Sequence, residues 1–185
     1  MKKYKYIWLM VCFIFMGQIV NAQINLGAKP HGFDKSLKLK SRKKTNDTLV
    51  TYKPIKNIEI LLKADQHNDS LGESYRFAYP ISVNLDMNNS GEWFDLENGD
   101  RMWRLTVSCP DAKSIYFNFN KFWIPDGGSL HIYDYEKKKY IGPLTYKVND
   151  GTKNNPGKFS NQLLESNKVI LEYFVPKDKI KEGIL

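Results

Sequence analysis

The chain has 185 residues, of which 42% are hydrophobic and 14% aromatic, and this is enough apolar material for one domain with a proper core. The formal net charge of +8 arises mainly between residues 35 and 63, where nine Lys and Arg residues stand against two acidic ones. Because no aromatic residue is interleaved in the densest part, Lys38 to Lys44, the charge does not indicate nucleic-acid binding. We interpret this stretch as a solvated segment. The alternative is that it forms an arm that touches an acidic partner or a lipid surface.

Residues 1–22 are typical of a secretory signal peptide. Lysines at positions 2, 3 and 5 precede an apolar run from Ile7 to Met16, and small residues end at Ala22. The run is too short for a membrane span of about 20 residues, so no stable membrane anchor is expected. The sequence therefore predicts a secreted or periplasmic protein, cleaved near Ala22.

Cysteine usage indicates how the exported protein is stabilised. Cys12 leaves with the signal peptide, so Cys109 is the remaining thiol and no intramolecular disulfide can form. Stability must then come from apolar burial. Cys109 lies at an inward position of its strand pattern, which predicts a small buried hydrophobe rather than a nucleophile.

Residues 23–74 form a basic pre-segment that we expect to be mostly extended and to pack along the following domain. The segment is polar and carries Pro30, Gly32 and Pro54. Its one compact apolar group, Ile55 to Leu62, fits either a strand or about a turn and a half of helix.

Residues 75–176 predict an all-β domain, an antiparallel β-sandwich of jelly-roll-like type with about seven to eight strands. Short apolar and polar alternations are separated by Gly, Asn, Asp and Pro turns. Residues 177–185 are interpreted as a C-terminal tail and a truncation point. The alternating apolar positions are Tyr79, Ile81, Val83, Leu85; Trp103, Leu105, Val107, Cys109; Ile115, Phe117, Phe119; Leu130, Ile132; and Val169, Leu171, Tyr173, Val175.

No catalytic constellation accompanies this pattern. The three histidines adjoin no nucleophile motif, and they show no zinc-ligand spacing with the single exported thiol. His131 lies between two core-facing residues, so we expect its side chain on the opposite face, at the surface or at the rim between the sheets. The chain itself is therefore predicted not to be an enzyme.

One spacing matches a calcium-loop template. Asp86, Asn88, Ser90 and Glu97 occupy its positions 1, 3, 5 and 12, with Gly91 at position 6. The expected strand context, rather than two flanking helices, favours a plain structural connection. No cofactor is therefore predicted, and calcium is retained as the single candidate.

Aromatic residues exceed what one core face needs. We expect either that they are buried under the pre-segment or that they form a surface for a sugar or a protein. The candidate partner surface consists of Phe122, Trp123, Tyr133 and Tyr135.

A set of motifs in a fixed order carries a resemblance that spans roughly residues 26–176. The chain resembles the non-catalytic, propeptide-type N-terminal region of secreted bacterial trypsin-like serine endopeptidases of the lysyl endopeptidase type. The motifs are Gly27-Ala28-Lys29-Pro30, Tyr75-Arg76-Phe77, Gly91-Glu92-Trp93, Gly99 to Leu105, Ala112 to Ile115, Phe122 to Tyr133, Ile141-Gly142 and Val169 to Pro176.

The resemblance implies a module that assists the folding, export or latency of a chymotrypsin-like peptidase domain, which would be its partner in cis or in trans. The chain stops at Leu185, where the family continues into the catalytic domain, so no triad residue can be carried over. The alternative is a stand-alone secreted sandwich that binds glycan or protein, with or without calcium.

Overall fold

The structure is a computed structural model that describes residues 27–37, 40–44, 49–52, 58–74, 76–180 and 182–185. The predicted signal peptide lies outside these residues. Strands dominate the described part of the chain. They are β1 (Lys40–Lys44), β2 (Leu49–Thr51), β3 (Glu92–Asp95), β4 (Arg101–Ser108), β5 (Asn118–Phe122), β6 (Ser129–Asp134), β7 (Tyr140–Leu144), β8 (Gly157–Ser160) and β9 (Lys168–Val175), and the helix between β2 and β3 is α1 (Ile58–Ser70).

The strands form two sheets. The larger sheet has the order β1-β3-β4-β9-β6-β7, with antiparallel neighbours throughout, and β2 adds to β4 in parallel. The smaller sheet is the antiparallel pair β5-β8. The prediction of an all-β, mainly antiparallel sandwich is confirmed, and residues 75–176 contribute seven of the strands.

The core lies between the two sheets. Alternate residues of the central strands point into it, among them Trp103 and Leu105 on β4 and Leu171 and Tyr173 on β9, as the strand period requires. Phe122, at the end of β5, enters from the smaller sheet and is fully buried. Burying a large apolar side chain contributes about 1.5–3 kcal/mol, so these layers hold the sandwich together.

The opposite face of the larger sheet is also partly covered. Residues 27–37, which we call the strap, cross it and include a short 3₁₀ turn at His31–Phe33. Met102 on β4 and Glu172 on β9 face this side and have no exposed surface. The predicted pre-segment therefore adds the strap, β1, β2 and α1 to the domain.

One local expectation needs correction, and the structure decides between the two alternatives left open for another segment. Residues 79–85 have the alternation of a strand but are not assigned to one, and Tyr79, Ile81 and Val83 are exposed. In the apolar group from Ile55 to Leu62, the described residues from Ile58 onward are helical rather than a strand. None of the helices in the described residues is long and apolar enough to cross a bilayer.

Candidate functional site

The most unusual group in the sandwich is a buried carboxylate at the middle of β9. Leu171 and Tyr173 face the core, so the strand period turns Glu172 to the other face, beneath the strap. Its directly opposed neighbours are Arg104 on β4 and His131 on β6. A buried carboxylate requires compensating donors, and the strap and the sheet both provide them.

Four hydrogen bonds converge on the Glu172 carboxylate. The Gly32 backbone N–H donates to Oε1 and Oε2 at 3.0 and 3.1 Å. Arg104 Nε donates to Oε2 at 2.9 Å, and the Tyr133 hydroxyl donates to the same oxygen at 2.8 Å. Burial and the neighbouring carboxylate raise the pKa of Tyr133 well above its usual range, so its hydroxyl stays a donor.

Gly32 is the strap residue that allows this contact. A Cβ atom built at this position would overlap the Arg104 guanidinium, the Glu172 carboxylate and the Tyr133 hydroxyl. Only glycine lets the backbone approach the carboxylate so closely. We call the four residues Gly32, Arg104, Tyr133 and Glu172 the carboxylate clamp.

Aromatic contacts fix the strap on both sides of Gly32. The His31 ring stacks on Phe174 with a centroid distance of 4.5 Å, and Phe33 meets Tyr133 edge-on at 5.1 Å. Lys137 Nζ donates to the Gly32 carbonyl at 2.6 Å and lies 6.0 Å from the centre of the Phe33 ring. The strap is thus bound like a peptide ligand, through its backbone and through side chains on either side.

His131 adds a titratable group to this interface. It faces away from the core as predicted, but it is buried rather than at a surface or rim, because the strap covers it. Its Nε2 lies 3.1 Å from the Ala28 carbonyl oxygen, whereas Nδ1 is buried without a hydrogen-bond partner. Burial lowers the pKa of His131, despite the opposing influence of Ala28 and Glu172.

The clamp is suited to holding the strap rather than to proton transfer. Glu172 Oε2 already accepts three hydrogen bonds and Oε1 accepts one, all from protein groups. A general base needs an accepting atom aimed at a substrate proton. Cys109, the predicted core thiol, is half-buried against the core, and burial raises its pKa.

Apolar side chains are left uncovered in a second region, around α1. No residue of this helix is fully buried; Leu61, Asp65 and Asn68, spaced three or four apart, are its half-buried side toward the protein. An ion pair of 3.0 Å joins Asp65 to Arg76. The apolar helix surface consists of the exposed residues Ile58 and Leu62, which lie four residues apart on one side of α1. Ile60 is exposed on the opposite side, and Leu71 is exposed just after the helix.

The predicted calcium ligands form part of a turn. Asp86 Oδ1 accepts the backbone N–H groups of Asn88 and Asn89 at 2.6 and 2.9 Å, and the buried Ser90 donates its hydroxyl to the Asp86 carbonyl at 2.7 Å. Glu97 follows β3, whereas the other three residues precede it. Within the described residues, no cluster of three His, Cys, Asp or Glu could hold a metal ion. Calcium binding remains an untested alternative to a plain structural connection.

The predicted partner residues do not lie on one surface. Phe122 is in the core, where it stacks on Phe159, and Tyr133 is buried in the clamp, so neither is open to a partner. Trp123 is half-buried, and its backbone bridges to Ile184. Tyr135 is exposed, with Lys168 Nζ 3.5 Å from its ring centre. Strand alternation alone could not distinguish these positions, because both faces of the larger sheet are partly covered.

No protein-family model matches the chain, and no solved structure matches it significantly.

The carboxylate clamp was not predicted from the sequence. Its signal was a charged residue, Glu172, at the centre of an otherwise apolar strand, with Arg104 in an equivalent position on another strand. Such a pair indicates a buried ionic contact, but the role of Gly32 cannot be inferred without the fold.

Proposed function

We propose that this chain is a secreted, non-catalytic module of the propeptide type, which binds the folded domain of a serine endopeptidase. The observation that carries the proposal is the apolar helix surface on α1. The class of partner is proposed from the resemblance of residues 26–176 to the N-terminal region of such endopeptidases.

A helix of 13 residues is marginally stable without tertiary packing. The exposed aliphatic residues of α1 make this packing incomplete in the isolated chain. A partner that covers them gains apolar burial at about 25 cal/mol per Å² and fixes the helix at the same time. An apolar helix that lies in a groove of another protein is a common mode of recognition.

Binding of this kind explains how a non-catalytic module assists a peptidase. A module that binds the folded form and not the unfolded form stabilises the folded form by mass action. If it lies over the substrate cleft, it also keeps the peptidase latent. Both effects operate in cis or in trans.

The test is a titration of the purified chain into a mature endopeptidase of the lysyl type, with cleavage of a lysine-containing peptide as the readout. We expect inhibition, or a higher yield when the denatured peptidase refolds in its presence. The double variant Ile58→Ser with Leu62→Ser should lose the effect. Its control, Lys63→Ser with Gln66→Ser, changes exposed polar residues of the same helix and should retain it.

Retention of binding in the double variant would exclude the apolar helix surface as the contact. Absence of any effect of the parent chain on folding or activity would overturn the proposal. Binding to a glycan array under the same conditions would instead favour the stand-alone binding module.

A further inference from the structure

A second uncovered surface follows α1 and has different properties. Residues 77–83, which we call the apolar segment, belong to no helix or strand, and their backbone groups make no hydrogen bond to another described residue. Their sequence nevertheless alternates as a strand does. The alternate side chains and their exposed fractions are Phe77 69%, Tyr79 49%, Ile81 41% and Val83 49%.

We infer that the apolar segment pairs with the same segment of a second copy of this chain, as two antiparallel strands related by a two-fold axis. The inference is independent of the proposed peptidase partner, which is assigned to α1. Strands with unpaired backbone groups and apolar side chains readily add to another strand.

Pro80 determines which edge of the segment can pair. In an antiparallel strand, each residue directs its N–H and C=O to one side, and successive residues alternate between the two sides. Pro80 has no N–H, so the edge formed by even-numbered residues cannot pair continuously. The edge formed by Phe77, Tyr79, Ile81 and Val83 has all its donors. One open edge permits a pair of strands but opposes further growth.

The sequence is complementary to itself when it pairs across this edge. When Pro80 lies opposite Pro80 of the second copy, Tyr79 of each copy faces Ile81 of the other. Phe77 of each copy likewise faces Val83 of the other. These odd residues are the hydrogen-bonded positions, whereas the two prolines meet at a non-hydrogen-bonded position that needs no donor. Aromatic and β-branched side chains opposite each other are favourable cross-strand pairs. All eight apolar side chains then share one face of the ribbon.

Charge favours the antiparallel direction of this pairing. The segment carries no charge, although the whole chain has a net charge of +8 that opposes association elsewhere. Arg76 precedes the segment and Asp86 follows it. Arg76 is already paired with Asp65 of its own chain, so it adds no attraction between the copies. Antiparallel pairing nevertheless keeps the two Arg76 side chains at opposite ends of the ribbon, whereas parallel pairing would place these like charges side by side.

The sandwich of each copy supports one end of this ribbon, so both ends are supported. The Phe77 ring lies against Tyr116, with a centroid distance of 5.9 Å. A two-stranded ribbon alone is marginal in water, and it needs packing on one face. Tyr116 provides such packing at each end of the two-fold pair.

The first measurement is the solution mass of the exported chain by sedimentation equilibrium over a range of concentrations. We expect the mass to rise towards twice that of one chain. Ile81→Pro removes a donor from the pairing edge and should give a monomer. Ser82→Pro is the matched control, because it removes a donor from the edge that Pro80 already blocks, and it should still dimerise.

The register is tested by cysteine cross-linking in a Cys109→Ala background. Residue 80 is the position that meets itself, so Pro80→Cys should form a disulfide-linked dimer under mild oxidation. Cysteines in Ser82→Cys would be about 13 Å apart along the ribbon and should not cross-link. A monomer at every concentration, or equal cross-linking at both positions, would overturn the inference. A peptidase that dissolves the dimer would leave the pairing established but would contradict its independence from the peptidase surface on α1.

Discussion

At the scale of single residues, Glu172 links the strap to the sheet. Replacing it by Gln keeps the shape of the side chain but places an amide group, with two donors, among Arg104, Tyr133 and the Gly32 N–H. Arg104 then loses its buried partner. We expect Glu172→Gln to lower the free energy of unfolding by about 3 kcal/mol, measured by urea denaturation.

The matched control is Glu165→Gln. Glu165 is also paired with a cation, Lys139, but both side chains are exposed, and the pKa of Glu165 is lowered only by that hydrogen-bonded partner. Exposed ion pairs contribute little, so this variant should unfold like the parent chain. Equal effects of the two substitutions would mean that the clamp is not a buried ionic site.

His131 predicts a specific dependence of stability on pH. Burial lowers its pKa in the folded protein, whereas in the unfolded chain the pKa is about 6.5. As the pH falls below about 6.5, the unfolded chain therefore takes up a proton before the folded protein does, and stability is lost. Above that pH, His131 is neutral in the folded protein and in the unfolded chain, so it does not make the free energy of unfolding depend on pH.

The measurement is the free energy of unfolding between pH 7.5 and 5.5, for the parent chain and for His131→Gln. The glutamine amide can donate to the Ala28 carbonyl in place of the ring. We expect the free energy of unfolding to fall more steeply on acidification in the parent chain than in His131→Gln. Identical slopes would contradict the burial of a neutral His131 beneath the strap.

At the scale of elements, α1 and the central strands should differ in local stability. The helix has no buried residue, whereas β4 pairs along its whole length with β9 and places Trp103, Leu105 and Val107 in the core. Local opening costs little free energy where few apolar contacts are broken. In amide hydrogen exchange, we expect α1 to exchange much faster than β4 and β9. Adding the proposed peptidase partner should slow exchange in α1.

The same contrast explains what the sequence predicted about the elements. Alternation correctly located β4, β6 and β9, because each lies in the interior of a sheet and buries one face in a common core. It failed for residues 79–85, since alternation records side chains and not whether a neighbouring strand supplies hydrogen bonds. The helix was ambiguous because its apolar residues, Ile58, Ile60 and Leu62, follow a period of two that is typical of a strand.

At the scale of the whole molecule, the sandwich has two apolar interfaces. One joins the two sheets, and sequence periodicity predicts it. The other joins the strap to the opposite face of the larger sheet, where Met102 and Tyr133 are buried beside Glu172. The second interface depends on a close backbone approach at Gly32 and on contacts between residues more than 100 positions apart, such as Gly32 and Glu172. No local pattern contains that information.

The second interface leads to a prediction about the complete domain. A chain that begins at residue 39 retains the described strands but lacks the strap, so it exposes Met102 and Tyr133 and leaves Arg104 and Glu172 accessible to water. We expect its melting temperature to be clearly lower than that of the chain that begins at residue 23. A peptide of residues 27–37, added in trans, should raise the melting temperature as its concentration increases. At 100 times its Kd, the peptide should add about 2.7 kcal/mol to the free energy of unfolding.

The control is the same peptide with Gly32→Ala, whose added methyl group would overlap the clamp. If the strap binds through the geometry described, this peptide should stabilise the shortened chain far less than the parent peptide does. Equal stabilisation would mean that the aromatic contacts of His31 and Phe33 suffice and that the carboxylate clamp does not select the backbone at Gly32. An unchanged melting temperature on removing the strap would show that the opposite face of the sheet needs no cover. Because the peptide adds apolar burial and donors to an otherwise intact sheet, its effect separates the contribution of the strap from that of the strands.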